Sequence, residues 1–166
     1  MRVNIALLTV TDTRTFDNDK SGDILENKIK DANHNLVDRK ICKDSKKEIK
    51  KILNQWLKKK KIDTIITTGG TGLTGRDITP EALEEVADKQ IPGFGEIFRY
   101  LSLETVGTSS IQSRACAVLA NGKYIFALPG SSGGVTDAWD KILVHQLDVN
   151  HKPCNFVELF PRLKEK

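Results

Sequence analysis

The segment VNIALLTV, residues 3–10, is apolar almost without interruption and runs straight into Thr11-Asp12-Thr13. A strand with one wet face alternates apolar and polar residues. A continuous run is what a strand buried on both faces needs. Such a strand sits inside a sheet covered by helices on each side, which points to the α/β class. As a secretory h-region the run fits poorly, because it lacks a small-residue cleavage site. No apolar run approaches the roughly 18 residues of a membrane span. A cytoplasmic location is therefore expected.

The rest of the chain alternates. Residues 21–33 pattern as a helix with Ser21 as N-cap, and 35–42 as a more polar strand nearer an edge. From Ser45 to Lys60, the residues Ile49, Ile52, Leu53, Trp56 and Leu57 make one helical stripe, and Ser45 with Glu48 matches a capping box. DTIITT (63–68) is a buried strand leading into Gly69-Gly70-Thr71-Gly72. Thr79-Pro80 marks a helix start, running to about residue 88. Phe94, Ile97, Phe98 and Leu101 mark another helix after the break at Pro92-Gly93. Two apolar runs then flank Asn121-Gly122, a strong hairpin signal, so the sheet is mixed. Val135 to Leu143 gives a last amphipathic helix, and the tail from Asn150 reads as irregular. The expectation is one domain over 1–166: a three-layer α/β/α fold with a mostly parallel sheet and one antiparallel strand.

In such sheets ligands bind beyond the carboxyl ends of the strands. The ends read from sequence are Thr11-Asp12-Thr13, the step before Asp44, Gly69–Gly72, and Pro129-Gly130-Ser131-Ser132. All are small, polar or acidic. If the first three strands and the last run parallel, these ends share one edge.

Gly70, Gly72 and Gly75 also fit G-x-G-x-x-G. A dinucleotide fingerprint needs a helix starting inside the motif and an acid about 20 residues on, at the end of a second strand. Here the helix starts near Pro80 and no such acid is present. A Walker A loop fails as well, because Arg76-Asp77 stands where Lys-Ser/Thr is required. Two readings of Gly69–Gly72 remain open: backbone N–H groups cradling phosphate, or a tight turn needing positive φ. Asp44 and Asp77 are hard oxygen donors of the kind Mg²⁺-nucleotide chemistry uses, yet either could be a helix cap or an Asx-turn. Ser131 and Ser132 could meet an anion or simply cap the last helix.

Cys42, Cys116 and Cys154 contain no C-x-x-C, and His34, His145 and His151 have no ligand spacing. The net charge of +4 suits anionic small molecules. The run Lys58–Lys61 lacks interleaved aromatics and reads as a solvated helix end rather than a nucleic-acid surface.

TTGGTGLTGRDITPEAL, IPGFGEIFR, SSIQSRA and LPGSSGG, in this order, resemble the MoaB/Mog family of molybdenum-cofactor biosynthesis over nearly the whole chain. DAWDKIL and KPCNF are closer to the MoaB branch. The resemblance implies a molybdopterin-binding fold, assembled as a homotrimer or homohexamer, and transfer of an adenylyl group from Mg²⁺-ATP to molybdopterin with release of pyrophosphate. It assigns catalytic and metal-side roles to Asp44 and Asp77. It places Asp12, Gly69, Gly70, Thr71, Gly72, Glu96, Gly130, Ser131 and Ser132 around the ligands, the glycine loop on ATP phosphates and Gly130–Ser132 on the pterin. A molybdenum-insertion protein is an implied partner, and neither nucleic acid nor membrane is. A non-catalytic molybdopterin carrier of the same pathway is the alternative.

Overall fold

The structure, a computed structural model, describes residues 1–165. Its strands are β1 (Asn4–Val10), β2 (Asn35–Cys42), β3 (Thr64–Thr68), β4 (Lys89–Gln90), β5 (Cys116–Ala120) and β6 (Lys123–Leu128). They form a six-stranded sheet in the order β2-β1-β3-β6-β5-β4. β2, β1, β3 and β6 are mutually parallel, and β5 runs antiparallel to both of its neighbours. The mixed sheet arises from the hairpin at Asn121-Gly122, where both residues have positive φ, 47° and 70°, as a tight I′-type turn requires.

The apolar run of β1 is buried on both faces. Ile5 and Leu7 join one core cluster with helix α1 (Lys20–Asp31), α4 (Pro92–Val106) and α5 (Ser132–Ala138). Ala6, Leu8 and Val10 join a second cluster with α2 (Lys46–Leu57) and α3 (Thr79–Glu84). The strand therefore separates two helical layers, as its composition demanded. α1 and α2 lie on opposite faces, so the chain reverses its winding between β1 and β3. The carboxyl ends of β1, β2, β3 and β6 share one edge.

Several local expectations shift. The N-cap of α1 is Asp19, not Ser21, because the buried Asp19 carboxylate accepts the Gly22 amide. Ser45 occupies the cap position of α2, but its side chain makes no cap bond, and Glu48 accepts instead from the Lys43 amide. α3 begins at Thr79 and ends at Glu84, short of residue 88. Lys89–Gln90 then forms a short edge strand where only a break was expected. The irregular tail contains a 3-10 turn, Val157–Arg162, and stacks Phe156 and Phe160 against Tyr124.

Candidate functional site

At the end of β3 the chain turns through Gly69 and Gly70, both at positive φ. A side chain at Gly70 would put its Cβ 2.4 Å from Thr79 Oγ1 and 3.2 Å from Asp44 Oδ1. The bare backbone there lets α3 and the Asp44 step close on the loop. Thr79 completes the closure: its hydroxyl donates to Gly69 O at 2.8 Å and its amide to Gly70 O at 3.0 Å. Gly72 is equally constrained, because a Cβ would stand 2.7 Å from Asp77 Oδ2.

A cavity of about 370 Å³ opens beside this loop, lined by Gly70, Thr71, Gly72 and Asp77 on one wall and Pro129, Gly130 and Ser131 on the other, with Gln112 and Ser113 between. Ser113, Pro129 and Ser131 also line a larger adjoining cavity of about 670 Å³, with Ser109, Ser110, Ser132 and Phe98 among its other walls. The two chambers make one bipartite cleft at the sheet edge. The Gly130 loop is pinned by Arg14 Nη1 and Ser21 Oγ, which donate to Gly130 O at 3.0 and 2.8 Å. Ser131 caps α5 by accepting from the Gly134 amide.

Of the residues singled out from sequence, Gly70, Thr71, Gly72, Asp77, Gly130 and Ser131 line the smaller chamber and Ser132 the larger one. Gly69 is buried beneath the loop. Asp12 and Asp44 meet behind it, where the Asp44 amide donates to Asp12 Oδ1 at 3.2 Å. Glu96 does not line either chamber: it lies on the exposed side of α4, beside a groove shared with Arg99 and Arg114 that meets the cleft at Ser113. Arg114 and the serines of residues 109–113 carried no site signal of their own in the sequence. They lie in a 3-10 turn and connection that hydrophobic periodicity does not register.

The carboxylates are unequally satisfied. Arg76 donates from Nε and Nη2 to Asp12 Oδ2 at 2.9 and 2.7 Å, and this contact holds the Asp12 carboxyl below its ordinary range. Burial pushes the Asp77 carboxyl up. Hydrogen bonds from the Thr74 hydroxyl, at 2.7 Å, and the Thr74 amide, at 2.9 Å, outweigh it and leave the group depressed. Asp44 goes the other way: burial, then the negative charge of Asp12 and of Asp77, raise it against the pull of Arg76. Among the described residues the Asp44 carboxylate has no side-chain donor and only the Asp12 backbone amide bears on it, and no group of three or more His, Cys, Asp or Glu converges as a ready-made metal cage. Mg²⁺ typically takes one or two carboxylates together with substrate phosphates rather than an all-protein cage. A carboxylate raised by neighbouring negative charge suits that use, so the donor set fits the ion. Burial pushes the Cys42 thiol to about 12 and the Cys116 thiol to about 11, so these two stay protonated.

Fold and site together define a three-layer α/β protein with a positive-φ glycine loop and neighbouring carboxylates at the point where the sheet reverses its winding. Residues 6–149 match the family model described as a probable molybdopterin binding domain, and the chain belongs to this family. It is 43% identical over 161 residues to the molybdenum cofactor biosynthesis protein B of Escherichia coli K12, covering 97% of this chain and 93% of that one. A crystal structure of a molybdenum cofactor biosynthesis protein B aligns at a TM-score of 0.90 and 36% identity, covering 100% of this chain and 98% of the other. The tungsten cofactor synthesizing protein MoaB from Pyrococcus furiosus aligns at 0.77 and 34%, covering 86% and 91%. No helix among the described residues is long and apolar enough to cross a membrane.

Proposed function

We propose that this chain, acting as a single cytoplasmic domain, adenylylates molybdopterin. The observation that carries the reading is the bipartite cleft: a polar chamber framed by the glycine loop and Asp77, opening past Ser113 and Ser131 into a larger one. The first chamber has the size and exposed backbone for a polyphosphate. The second would take the pterin, against the Gly130–Ser132 loop.

In this reading an oxygen of the terminal phosphate of molybdopterin attacks the α-phosphorus of ATP. The bond from that phosphorus to the bridging oxygen of the β-phosphate breaks, and pyrophosphate leaves. Mg²⁺, when bound, supplies charge neutralisation at the phosphates. Asp44 and Asp77 would hold the metal side of the nucleotide and act as neither nucleophile nor base. Arg76 draws charge off Asp12, and the loop amides meet the charge that grows on the phosphate oxygens.

One observation favours the alternative of a non-catalytic molybdopterin carrier. Asp77 is already committed to Thr74 and Asp12 to Arg76, so nucleotide binding must displace existing contacts. Incubation with molybdopterin, ATP and Mg²⁺ separates the two. Adenylyl-molybdopterin and pyrophosphate are expected in equal amounts. Pterin binding without either product would leave the carrier.

α4 exposes the large apolar residues Ile97, Tyr100, Leu103 and Val106. This exposed apolar surface supports self-association, with the homotrimer or homohexamer as the expected states. Sedimentation at micromolar concentration tests it, and a monomer would refute it. Docking of a molybdenum-insertion protein belongs to the same reading.

A further inference from the structure

Arg114 sits between the 3-10 turn Gly107–Gln112 and β5, and its polar contacts all go to the glycine loop, to Asp77 and to α3. Its backbone N–H donates to Thr71 O at 2.9 Å. Nε donates to Gly72 O at 2.7 Å and Nη2 to Asp77 O at 2.7 Å. Nη1 pairs with the Glu81 carboxylate on α3. One planar guanidinium thus gathers carbonyls from both ends of segment 72–77 and the helix beyond. A lysine ammonium, as a single point charge, cannot serve these directions together.

The consequence lies in the peptide planes. In a trans peptide the N–H points opposite to the C=O. With Thr71 O and Gly72 O both drawn onto Arg114, the amides of Gly72 and Leu73 face away from it. The Gly72 backbone lies directly against the Asp77 carboxylate, since a Cβ there would stand 2.7 Å from Asp77 Oδ2. Arg114 itself is absent from the walls of the phosphate-sized chamber.

We propose that Arg114 is a positioning residue for the phosphate end of the cleft, fixing the Gly72 peptide and, through it, Asp77. This rests on the adenylyl-transfer reading for its kinetic consequence but not for its structural one. Arg114→Lys keeps a cation for Glu81 and loses the fork. Its melting temperature stays close to the wild type. Its KM for Mg-ATP rises about tenfold, the size of one charge-assisted hydrogen bond's worth of misplacement, while the KM for molybdopterin is unchanged. A lowered melting temperature with an unchanged KM for Mg-ATP would overturn the proposal and leave a plain structural role.

Amide hydrogen exchange of the ligand-free proteins needs no nucleotide. The amides of Thr74 and Asp77, which donate to Asp77 Oδ2 and Thr74 O, are expected to exchange faster in Arg114→Lys than in the wild type, and unchanged exchange would also overturn the proposal. If the wild type bound no nucleotide, adenylyl transfer would fail as the function, and the exchange comparison would still decide Arg114.

Discussion

Two groups of carboxylates flank the first strand, and they are built in opposite ways. Asp19 is fully buried and fully engaged. It accepts from Thr9 Oγ1 at 2.6 Å, from the Gly22 amide at 3.1 Å and from Arg39 Nη2 at 2.9 Å. Arg39 also reaches Asp23 and Glu26, and these partners outweigh its burial and raise its pKa. At the switch between β1 and β3, Asp12 and Asp44 meet, Arg76 hydrogen-bonds Asp12, and the charges of Asp12 and Asp77 raise Asp44. The first arrangement satisfies its carboxylates within the chain and leaves Arg39 Nε as its unpartnered buried atom. The second leaves one carboxylate, Asp44, raised by burial and by its acidic neighbours despite the nearby Arg76, a perturbation of the kind found where a cation is received.

The largest expected effect breaks the satisfied side. Asp19→Ala removes the fully buried partner of Arg39, leaving it Asp23 and Glu26, and removes the α1 cap. A loss of about 3–5 kcal/mol in urea unfolding is expected, the usual cost of halving a buried ion pair. A loss below about 1 kcal/mol would mean the pair is dispensable.

On the other side the effect moves from stability to turnover. Asp77→Asn and Asp44→Asn are each expected to lower adenylyl transfer by about a hundredfold, typical of losing one preorganised electrostatic group. Wild-type rates in both would sink the roles assigned to them.

Arg76→Gln sharpens the contrast without touching the core. Its hydrogen bond is the leading cause of the depressed Asp12, so NMR titration of the carboxyl carbons is expected to show both Asp12 and Asp44 moving up. An unmoved Asp12 contradicts the coupling.

The smallest effect concerns pH. Because the folded pKa of Asp44 is raised, its stabilising contribution is complete below the ordinary carboxylate value of about 3.9 and is lost as pH rises through the elevated one. Asp12 and Asp77 are depressed, so their contributions are present above about 3.9 and lost as pH falls through their lower values. At neutral pH Asp44→Asn therefore removes a penalty, and its urea midpoint should equal or slightly exceed that of the wild type. A clear drop would show Asp44 to be a stabilising residue.

The same contrast between finished and unfinished carboxylates explains what could be read from sequence. The doubly buried β1 and the Asn121-Gly122 hairpin are written in local composition, and with them come the layers and the edge where Asp44, Asp77 and the glycines meet. Asp19 was invisible as a cap because Ser21, two residues on, satisfies the same pattern. Only the long-range partner Arg39 decides between them. Thr79 was legible as a helix start, but its hydroxyl serves Gly69 instead of the helix. Arg114 was hidden for a similar reason: its side-chain partners lie 33 to 42 residues away. Glu96 was placed near the ligands by resemblance, and α4 turns it toward a different groove.

The central claim is that the neighbouring carboxylates at the switch point await a metal-bound nucleotide. Thermal unfolding with saturating Mg-ATP tests it most directly, since a ligand of the native state must raise the melting temperature. The wild type is expected to rise with Mg-ATP and to respond weakly to ATP in chelator. The rise should vanish in the Asp44→Asn, Asp77→Asn double variant. No rise in the wild type, or an equal rise in the double variant, would contradict the account.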